Sequence, residues 1–287
     1  FSFIAGGGTL GAIGGSSAAA ALAGAIDPAL FLLVAAAMLE ACVLSIRRLV
    51  RIFGLDREGR EPRPPTESPG RLGVGDFLAG IRLFAASRYL LGIGLFVLAA
   101  TVGATFIYFQ QAGIAEAAFP DRGARTAFFA RIDLFVNLLT ATFEFLLTGR
   151  LLTRIGVGPT LSIFPALTAA SSLALALWPA SALLVGVQTL RRGAEYGIAR
   201  PAREVLFTVV SREEKYAAKN FLDTFVVRAG DAIAAGVDRA LPGLGVGERT
   251  VAAALCLLAV GWVLLAVALG RRQDALARSG ADPTDAA

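Results

Sequence analysis

Long apolar runs constrain this chain more than any other feature of its sequence. A membrane-spanning helix needs roughly 20 mostly apolar residues, and runs such as "LLGIGLFVLAATVGATFIYF" and "VAAALCLLAVGWVLLAVALG" meet that requirement. Charged residues make up only 17% of the chain, whereas soluble domains carry about 25%. The sequence therefore predicts that a bilayer is the solvent for most of the chain, and that the fold class is an all-α polytopic membrane protein.

Eight spans are predicted, most of them separated by turns that contain Pro or Gly, such as "IDPAL", "GVGP" and "WPAS". They cover residues 3–25, 28–46, 88–112, 123–148, 157–178, 180–203, 218–240 and 250–270. Residues 77–87 are predicted to form an interfacial amphipathic helix that leads into the third span. Because the first residue is Phe and lies inside an apolar run, we expect further helices upstream.

The distribution of basic residues predicts the orientation of these spans. One set of loops and tails carries sixteen basic residues, whereas the opposite set carries only Arg122, Arg125, Arg239 and Arg249. Cytoplasmic loops are enriched in Lys and Arg, so both ends of the chain are predicted to be cytoplasmic, with a bacterial inner membrane as the location. The basic residues are spread over loops rather than gathered on one face, which argues against a nucleic-acid partner.

Several classes of chemistry are excluded by composition. The chain has no His, and its two cysteines, Cys42 and Cys256, lie in apolar segments. A Cys/His zinc site and catalysis by a His-activated serine or cysteine therefore have no ligands or base within these residues. We expect no bound metal, no cofactor and no enzymatic activity.

One apolar run is interrupted by charge at depth. In "QTLRRGAEYGIARPAREVLF", residues 188–207, four polar residues recur at i, i+3, i+4 and i+7, which places them on one helical face. They are Gln188, Arg191, Arg192 and Glu195. Arg191 lies about 16 Å into the span at 1.5 Å per residue, where a lipid-facing charge costs about 2.5–3.5 kcal/mol. This face is therefore predicted to line protein or a wet cavity.

The next span carries a similar polar face. Asn220, Thr224, Arg228 and Asp231 recur at i, i+4, i+8 and i+11. Two interpretations stay open at this point: pairs such as Arg191–Glu195, Lys219–Asp223 and Arg228–Asp231 neutralise each other, or surplus arginine binds an anionic substrate. Arginine suits the second role because its planar guanidinium grips phosphate or carboxylate with two hydrogen bonds.

The order of spans and linker resembles that of the major facilitator superfamily, in which two six-helix bundles are joined by a cytoplasmic linker. On that resemblance the chain holds eight of twelve spans: residues 1–46 end the N-terminal bundle, 47–77 are the linker, 78–270 are the C-terminal bundle and 271–287 are a tail. The turn "TGRLLTRIGVGP" resembles the facilitator loop motif. It gives Arg150 and Arg154 a gating role, with topogenic charge as the alternative.

A second resemblance is more specific. The run "ARPAREVLFTVVSREEKYAAKNFLDTFVVRAGD", residues 199–231, is similar to the matching segment of the bacterial and plastid ATP/ADP translocase family. Acidic residues, then lysines, then Asp and Arg occur in the same order in both. The residues concerned are Glu204, Glu213, Glu214, Lys215, Lys219, Asp223 and Arg228. The resemblance implies ATP binding and exchange of ATP for ADP.

These observations predict a secondary active transporter of an anionic, phosphorylated solute, with nucleotide antiport by alternating access favoured, acting as a monomer. The predicted substrate-binding residues are Gln188, Arg191, Arg192, Glu195, Asn220, Arg228 and Asp231. The predicted gating residues are Arg150, Arg154, Arg203, Lys219 and Asp223. One alternative is a transporter of a sugar phosphate, organic acid or drug, with Glu40, Asp133 or Glu144 carrying protons. Another is a membrane enzyme that acts on a phosphorylated lipid.

Overall fold

The computed structural model describes residues 2–22, 28–53, 74–178, 181–243 and 248–280. These residues are 95% helical and contain no strand, which confirms the all-α class. The uninterrupted helices are α1 (Ser2–Leu22), α2 (Pro28–Ile52), α3 (Val74–Ala86), α4 (Arg88–Ala118), α6 (Val157–Leu177) and α9 (Glu248–Ser279). The other three helices each contain a π-helical turn.

Each of the three interrupted helices is an unbroken run of helical residues whose hydrogen-bond pattern changes midway. Helix α5 comprises Arg122–Thr142, the π-helical turn Phe143–Thr148 and Gly149–Ile155. Helix α7 comprises Ser181–Ala194, the π-helical turn Glu195–Ala199 and Arg200–Leu206. Helix α8 comprises Arg212–Phe221, the π-helical turn Leu222–Val226 and Val227–Gly243. Each π-helical turn adds one residue to the turn and so rotates the residues that follow it relative to a regular helix.

Among the described residues, five helices are long and apolar enough to cross a membrane. They are Leu30–Ile52, Arg88–Gly113, Arg122–Ile155, Val157–Ala174 and Cys256–Ser279. The predicted spans 180–203 and 218–240 are helical too, as α7 and α8, but their charged residues set them apart from these five. The predicted count of eight spans therefore stays a prediction.

Helix ends differ from the predicted boundaries in three instructive places. Helix α2 continues to Ile52, into the predicted linker 47–77, whose residues 54–73 lie outside the described part of the chain. Helix α8 begins at Arg212, where a loop was expected, because Ser211 caps it. The Ser211 hydroxyl accepts from the Glu214 amide at 3.3 Å, as the N-cap residue of a capping box does, and it also donates to the Glu214 carboxylate at 2.8 Å. The predicted tail 271–287 begins inside α9, and its residues 281–287 also lie outside the described part.

The π-helical turn of α7 accommodates Pro201. Proline has no N–H and leaves the carbonyl four residues before it, here that of Gly197, without its usual helical donor. The hydroxyl of Thr148, from the π-helical turn of α5, donates to this carbonyl across the interface. A Cβ on Gly197 would lie 2.8 Å from the Phe143 Cβ, so only glycine permits this approach. Helix α7 therefore continues past Pro201 to Leu206.

Helices α4 to α9 pack in pairs. Helix α4 lies along α8, α5 along α7, and α6 along α9. The α6–α9 pair has the most extensive contact in the described chain. Gly158 and Gly270 set the α6–α9 distance, because a Cβ on Gly270 would lie 2.2 Å from the Gly158 Cα. Between α4, α6 and α9, the Trp262 ring packs against the rings of Phe96 and Phe164, with centroid distances of 5.3 and 5.1 Å.

Helix α1 packs against α5, and the Asn137 amide donates to the Ala12 carbonyl at 3.2 Å. Gly7, Gly11 and Gly15 of α1 recur every four residues, a spacing that allows close helix packing. A Cβ at any of the three would nevertheless meet no other described atom within 4 Å. Among the described residues, close helix approach occurs instead at glycines of the later helices, such as Gly158, Gly197 and Gly230.

Candidate functional site

Two adjoining cavities run between α4, α7 and α8. The large cavity has a volume of about 870 Å³ and the small cavity about 500 Å³. Thr105, Glu195 and Asp231 line both cavities, and each lies near the middle of its helix. The small cavity extends from this level toward the predicted cytoplasmic helix ends, and the large cavity extends the other way.

The predicted polar face of α7 forms one wall of the large cavity. Gln188 and Arg191 are 1% and 2% exposed, although both are polar. The Arg191 Nε donates to the Gln188 Oε1 at 3.2 Å, and its Nη1 lies 3.5 Å from the Glu195 Oε2. Arg191 also stacks on Phe164, with 5.7 Å between the guanidinium carbon and the ring centroid. The predicted pair Arg191–Glu195 is therefore present.

Arg192 binds a carboxylate on the neighbouring helix. Its Nη1 lies 2.7 Å from the Asp133 Oδ1 of α5, and both residues line the large cavity. Gly193 allows α5 to come this close, because a Cβ there would lie 2.8 Å from the Leu139 Cδ2. The short distance and the two-helix geometry make this the firmest of the ion pairs in the large cavity.

The opposite wall comes from α8. Arg228 and Asp231 form the second predicted pair, with 3.4 Å between Nη1 and Oδ2, and the Arg228 side chain is 79% exposed. Asp231 is also held from α4, because the Thr105 hydroxyl donates to its Oδ1 at 2.8 Å. Three arginines and three carboxylates thus line the large cavity, and their formal charges cancel.

Asn220 is not brought to either cavity. It is exposed and its side-chain oxygen accepts from the Thr224 hydroxyl at 3.4 Å. Asp223 is the first residue of α8 that lines either cavity, and Asn220 lies nearer the start of the helix. The sequence spacing indicated a shared helical face, but it did not give the depth at which the cavities begin.

The predicted gating residues divide into three groups. Arg203 and Asp223 line the small cavity. Lys219 joins α8 to α7 through an ion pair with Glu204, so the predicted pairing of Lys219 with Asp223 is wrong. Arg150 and Arg154 lie exposed at the end of α5, and neither forms an ion pair with another described residue.

The sequence analysis missed the contribution of α4, which it treated as uniformly apolar. Four polar residues of α4 recur at i, i+4, i+7 and i+10, and each lines at least one of the two cavities. They are Thr101, Thr105, Tyr108 and Gln111. This spacing is that of one helical face, so the signal was available in the sequence. The large cavity also has an aromatic lining, made by Tyr108, Phe109, Phe129 and Tyr196. Arg200 lies over Tyr196, with 4.2 Å between the guanidinium carbon and the ring centroid.

The carboxylates of the alternative, proton-carrying interpretation are dispersed. Asp133 lines the large cavity, whereas Glu40 is exposed on α2 and Glu144 lines neither cavity. Within the described residues no group of three or more carboxylate or thiol side chains could hold a metal ion.

Comparison with known proteins leaves the family open. No protein-family model matches this chain, and no curated protein matches it either. The cavities themselves are therefore the basis for a functional proposal.

Proposed function

We propose that this chain forms part of a secondary transporter for anionic, phosphorylated solutes, which exchanges nucleotides of the ATP/ADP type by alternating access. The observation that carries the proposal is the set of arginines around the large cavity, each held by a single carboxylate. Arg191 and Arg228 are held at 3.5 and 3.4 Å, distances longer than the 2.7–2.9 Å of a strong charge-assisted hydrogen bond. Both guanidinium groups therefore keep capacity for a better acceptor.

A phosphate group is such an acceptor. Its oxygens match the planar donor fork of arginine, which remains charged at any physiological pH. Glu195 and Asp231 neutralise the arginines while the cavity holds no anion, and an entering phosphate takes their place. Reorientation with unpaired arginine charge in a low-dielectric region is costly, so the site favours moving with an anion bound in both directions. This preference supports exchange of one anion for another.

The helix pairing supports an architecture of the facilitator type. If α4–α5–α6 and α7–α8–α9 are taken as two repeats, α4 corresponds to α7, α5 to α8 and α6 to α9. The pair α4–α8 then corresponds to the pair α7–α5. Both of these pairs are present, and the pair α6–α9 maps onto itself. Inverted three-helix repeats within a six-helix half are a feature of facilitator transporters, whose substrates bind near mid-membrane at the repeat interface. On this proposal Thr105, Glu195 and Asp231, each near the middle of its helix, are assigned to that level.

The size and lining of the large cavity support a nucleotide rather than a small anion. Its volume of about 870 Å³ lies within the roughly 300–1,000 Å³ of small-molecule sites. Four aromatic residues line it together with the arginines. A ligand with a flat ring and a polyanionic tail would use both kinds of surface, whereas inorganic phosphate would use only one.

The proposal is tested by ligand-induced thermal stabilisation of the full-length protein in detergent. The panel contains ATP, ADP, tripolyphosphate, a hexose phosphate, citrate and uncharged adenosine. A ligand at 100 times its dissociation constant adds about 2.7 kcal/mol to the free energy of unfolding. We expect ATP and ADP to give the largest shifts and adenosine, which lacks the phosphates, to give the smallest. Stabilisation by an uncharged compound, with no response to any anion, would contradict the proposal and favour the alternative transporter of another solute.

Arginine variants locate the effect in the cavity. Arg228→Gln is the first choice, because Arg228 is 79% exposed and its loss should not impair folding. We expect this variant, and Arg191→Gln, to lose at least tenfold in ATP affinity. Arg131→Gln is the matched control, because Arg131 is an exposed arginine of α5 that lines neither cavity. It should bind ATP as the natural protein does.

A further inference from the structure

Gln111 is a buried, uncharged polar residue that takes no part in the proposed binding of phosphate. It lies on α4, is 2% exposed and lines the large cavity beside Tyr108 and Phe109. Its Nε2 is buried and has no hydrogen-bond partner among the described residues. A buried donor without an acceptor is costly and rare in native proteins, so this amide nitrogen calls for an explanation.

The direction in which Gln111 presents its amide is set by a relay that starts at Arg191. Arginine has donors and no acceptor, so the Gln188 atom that faces the Arg191 Nε at 3.2 Å must be its Oε1. The Gln188 amide nitrogen is thereby turned the other way. It donates to the Ile107 carbonyl at 3.4 Å and to the Gln111 Oε1 at 2.9 Å.

Two independent contacts therefore fix the Gln111 amide. Its oxygen must accept from Gln188, and its nitrogen is left as the outer end of the relay, offering only N–H donors. Gln188 and Arg191 are 1% and 2% exposed, so neither side chain is free to turn over without breaking buried hydrogen bonds. The permanent charge of Arg191 thus determines that the unpartnered end of the relay, on a residue that lines the large cavity, is a donor.

On the basis of the function proposed above, we infer that Gln111 is a specificity-determining residue that donates a hydrogen bond to a ring-nitrogen acceptor of the substrate base. The arginines take the phosphates. Gln111 is separated from Arg191 by Gln188 in the relay and is flanked by aromatic side chains. It is uncharged and meets the uncharged end of the ligand. Tyr108 and Phe109, whose ring centroids are 6.4 Å apart, provide flat surfaces on which a base stacks. The substrate class is a nucleoside polyphosphate whose base carries an acceptor on the edge that faces α4.

The test compares ATP with tripolyphosphate, measured by calorimetry on the full-length protein in detergent. Gln111→Met keeps the shape of the side chain and removes the donor. We expect ATP affinity to fall about tenfold, and tripolyphosphate affinity to stay unchanged. Gln111→Glu, which replaces the donor by an acceptor, should weaken ATP binding further. Gln273→Met on α9 is the control, because Gln273 is also buried but lines neither cavity.

Ligand analogues identify the acceptor atom. The 1-deaza, 3-deaza and 7-deaza forms of ATP each lack one ring nitrogen of adenine. We expect one of them to bind the natural protein as weakly as ATP binds the Gln111→Met variant, and to be indifferent to that substitution. The inference is overturned if Gln111→Met leaves the ATP-to-tripolyphosphate ratio unchanged, or if all three analogues bind like ATP. A natural protein that binds neither ATP nor tripolyphosphate overturns the proposed function instead, and this inference with it.

Discussion

Individual charged residues in the large cavity differ in how firmly they are held. Arg192 has a close partner on another helix at 2.7 Å. The partners of Arg191 and Arg228 are on the same helix and 3.5 and 3.4 Å away. Arg192 is therefore suited to fixing the helix packing, whereas Arg191 and Arg228 are suited to changing partner when an anion enters. This division follows from distances that no sequence pattern gives.

Asp231 gives the sharpest test of partner exchange. If this carboxylate competes with the substrate for Arg228, then Asp231→Asn removes the competitor while keeping the hydrogen bond from Thr105, because the asparagine oxygen can still accept. We expect the variant to bind ATP several-fold more tightly by calorimetry. Asp238→Asn, two helical turns further along α8 and outside both cavities, should not change the affinity. Weaker binding by Asp231→Asn would show that Asp231 supports the site and does not compete for it.

At the residue scale, the sequence predicted charged groups better than neutral ones. A charge inside an apolar run is conspicuous because its burial in lipid is costly, and this is why Arg191, Glu195 and Arg228 were identified. Thr105 and Gln111 cost little in an apolar helix, and so they attracted no notice. Asn220 was misplaced because it lies before Asp223, the first residue of α8 that lines either cavity, and a helical spacing gives the face of a residue but not its depth.

The π-helical turns are the distinctive elements of this fold. Those of α7 and α8 carry Glu195 and Asp223, which line the cavities, and those of α5 and α7 contact each other. Single π-helical turns often occur at functional sites. Here the α7 turn combines a proline that cannot donate with a Gly197 carbonyl that finds its donor on another helix. The helices themselves were predictable from hydrophobic length, but this cross-helix hydrogen bond was not.

Removal of the cross-helix hydrogen bond should destabilise the α5–α7 contact. Thr148 is 4% exposed, so Thr148→Val leaves the Gly197 carbonyl buried without its donor, at a cost of about 1–3 kcal/mol. We expect a lower unfolding temperature of the detergent-solubilised protein. Pro201→Ala restores an N–H four residues after Gly197, so it should recover part of the loss in the double variant.

A control on the same helix separates this effect from the general loss of a hydroxyl. Thr142 is exposed and donates within α5 to the Leu138 carbonyl at 2.8 Å. Thr142→Val should leave the unfolding temperature nearly unchanged. Equal effects of Thr142→Val and Thr148→Val, or a double variant no more stable than Thr148→Val alone, would show that the interhelical bond does not stabilise the contact.

At the scale of the whole molecule, the all-helical class was predictable from apolar run length, and the arrangement of helices was not. Run length predicts that a segment is a helix, but the pairing α4–α8, α5–α7 and α6–α9 depends on which faces fit. The Gly158–Gly270 crossing illustrates this, because its two glycines lie in different helices more than one hundred residues apart. The same pairing brings α4, α7 and α8 around the cavities. The prediction of helices was therefore sound where it relied on local sequence, and the description of the cavities was incomplete because their lining is shared between helices.

The most direct test of the central claim is nucleotide exchange by the full-length protein in liposomes. Vesicles loaded with ADP are given radiolabelled ATP outside, and uptake is compared with that of empty vesicles. We predict uptake that requires internal ADP, falls at least tenfold in Arg191→Gln and Arg228→Gln, and is retained in Arg131→Gln. Uptake that persists in both cavity variants, or that is the same in loaded and empty vesicles, would contradict the account that these arginines bind the exchanged anion.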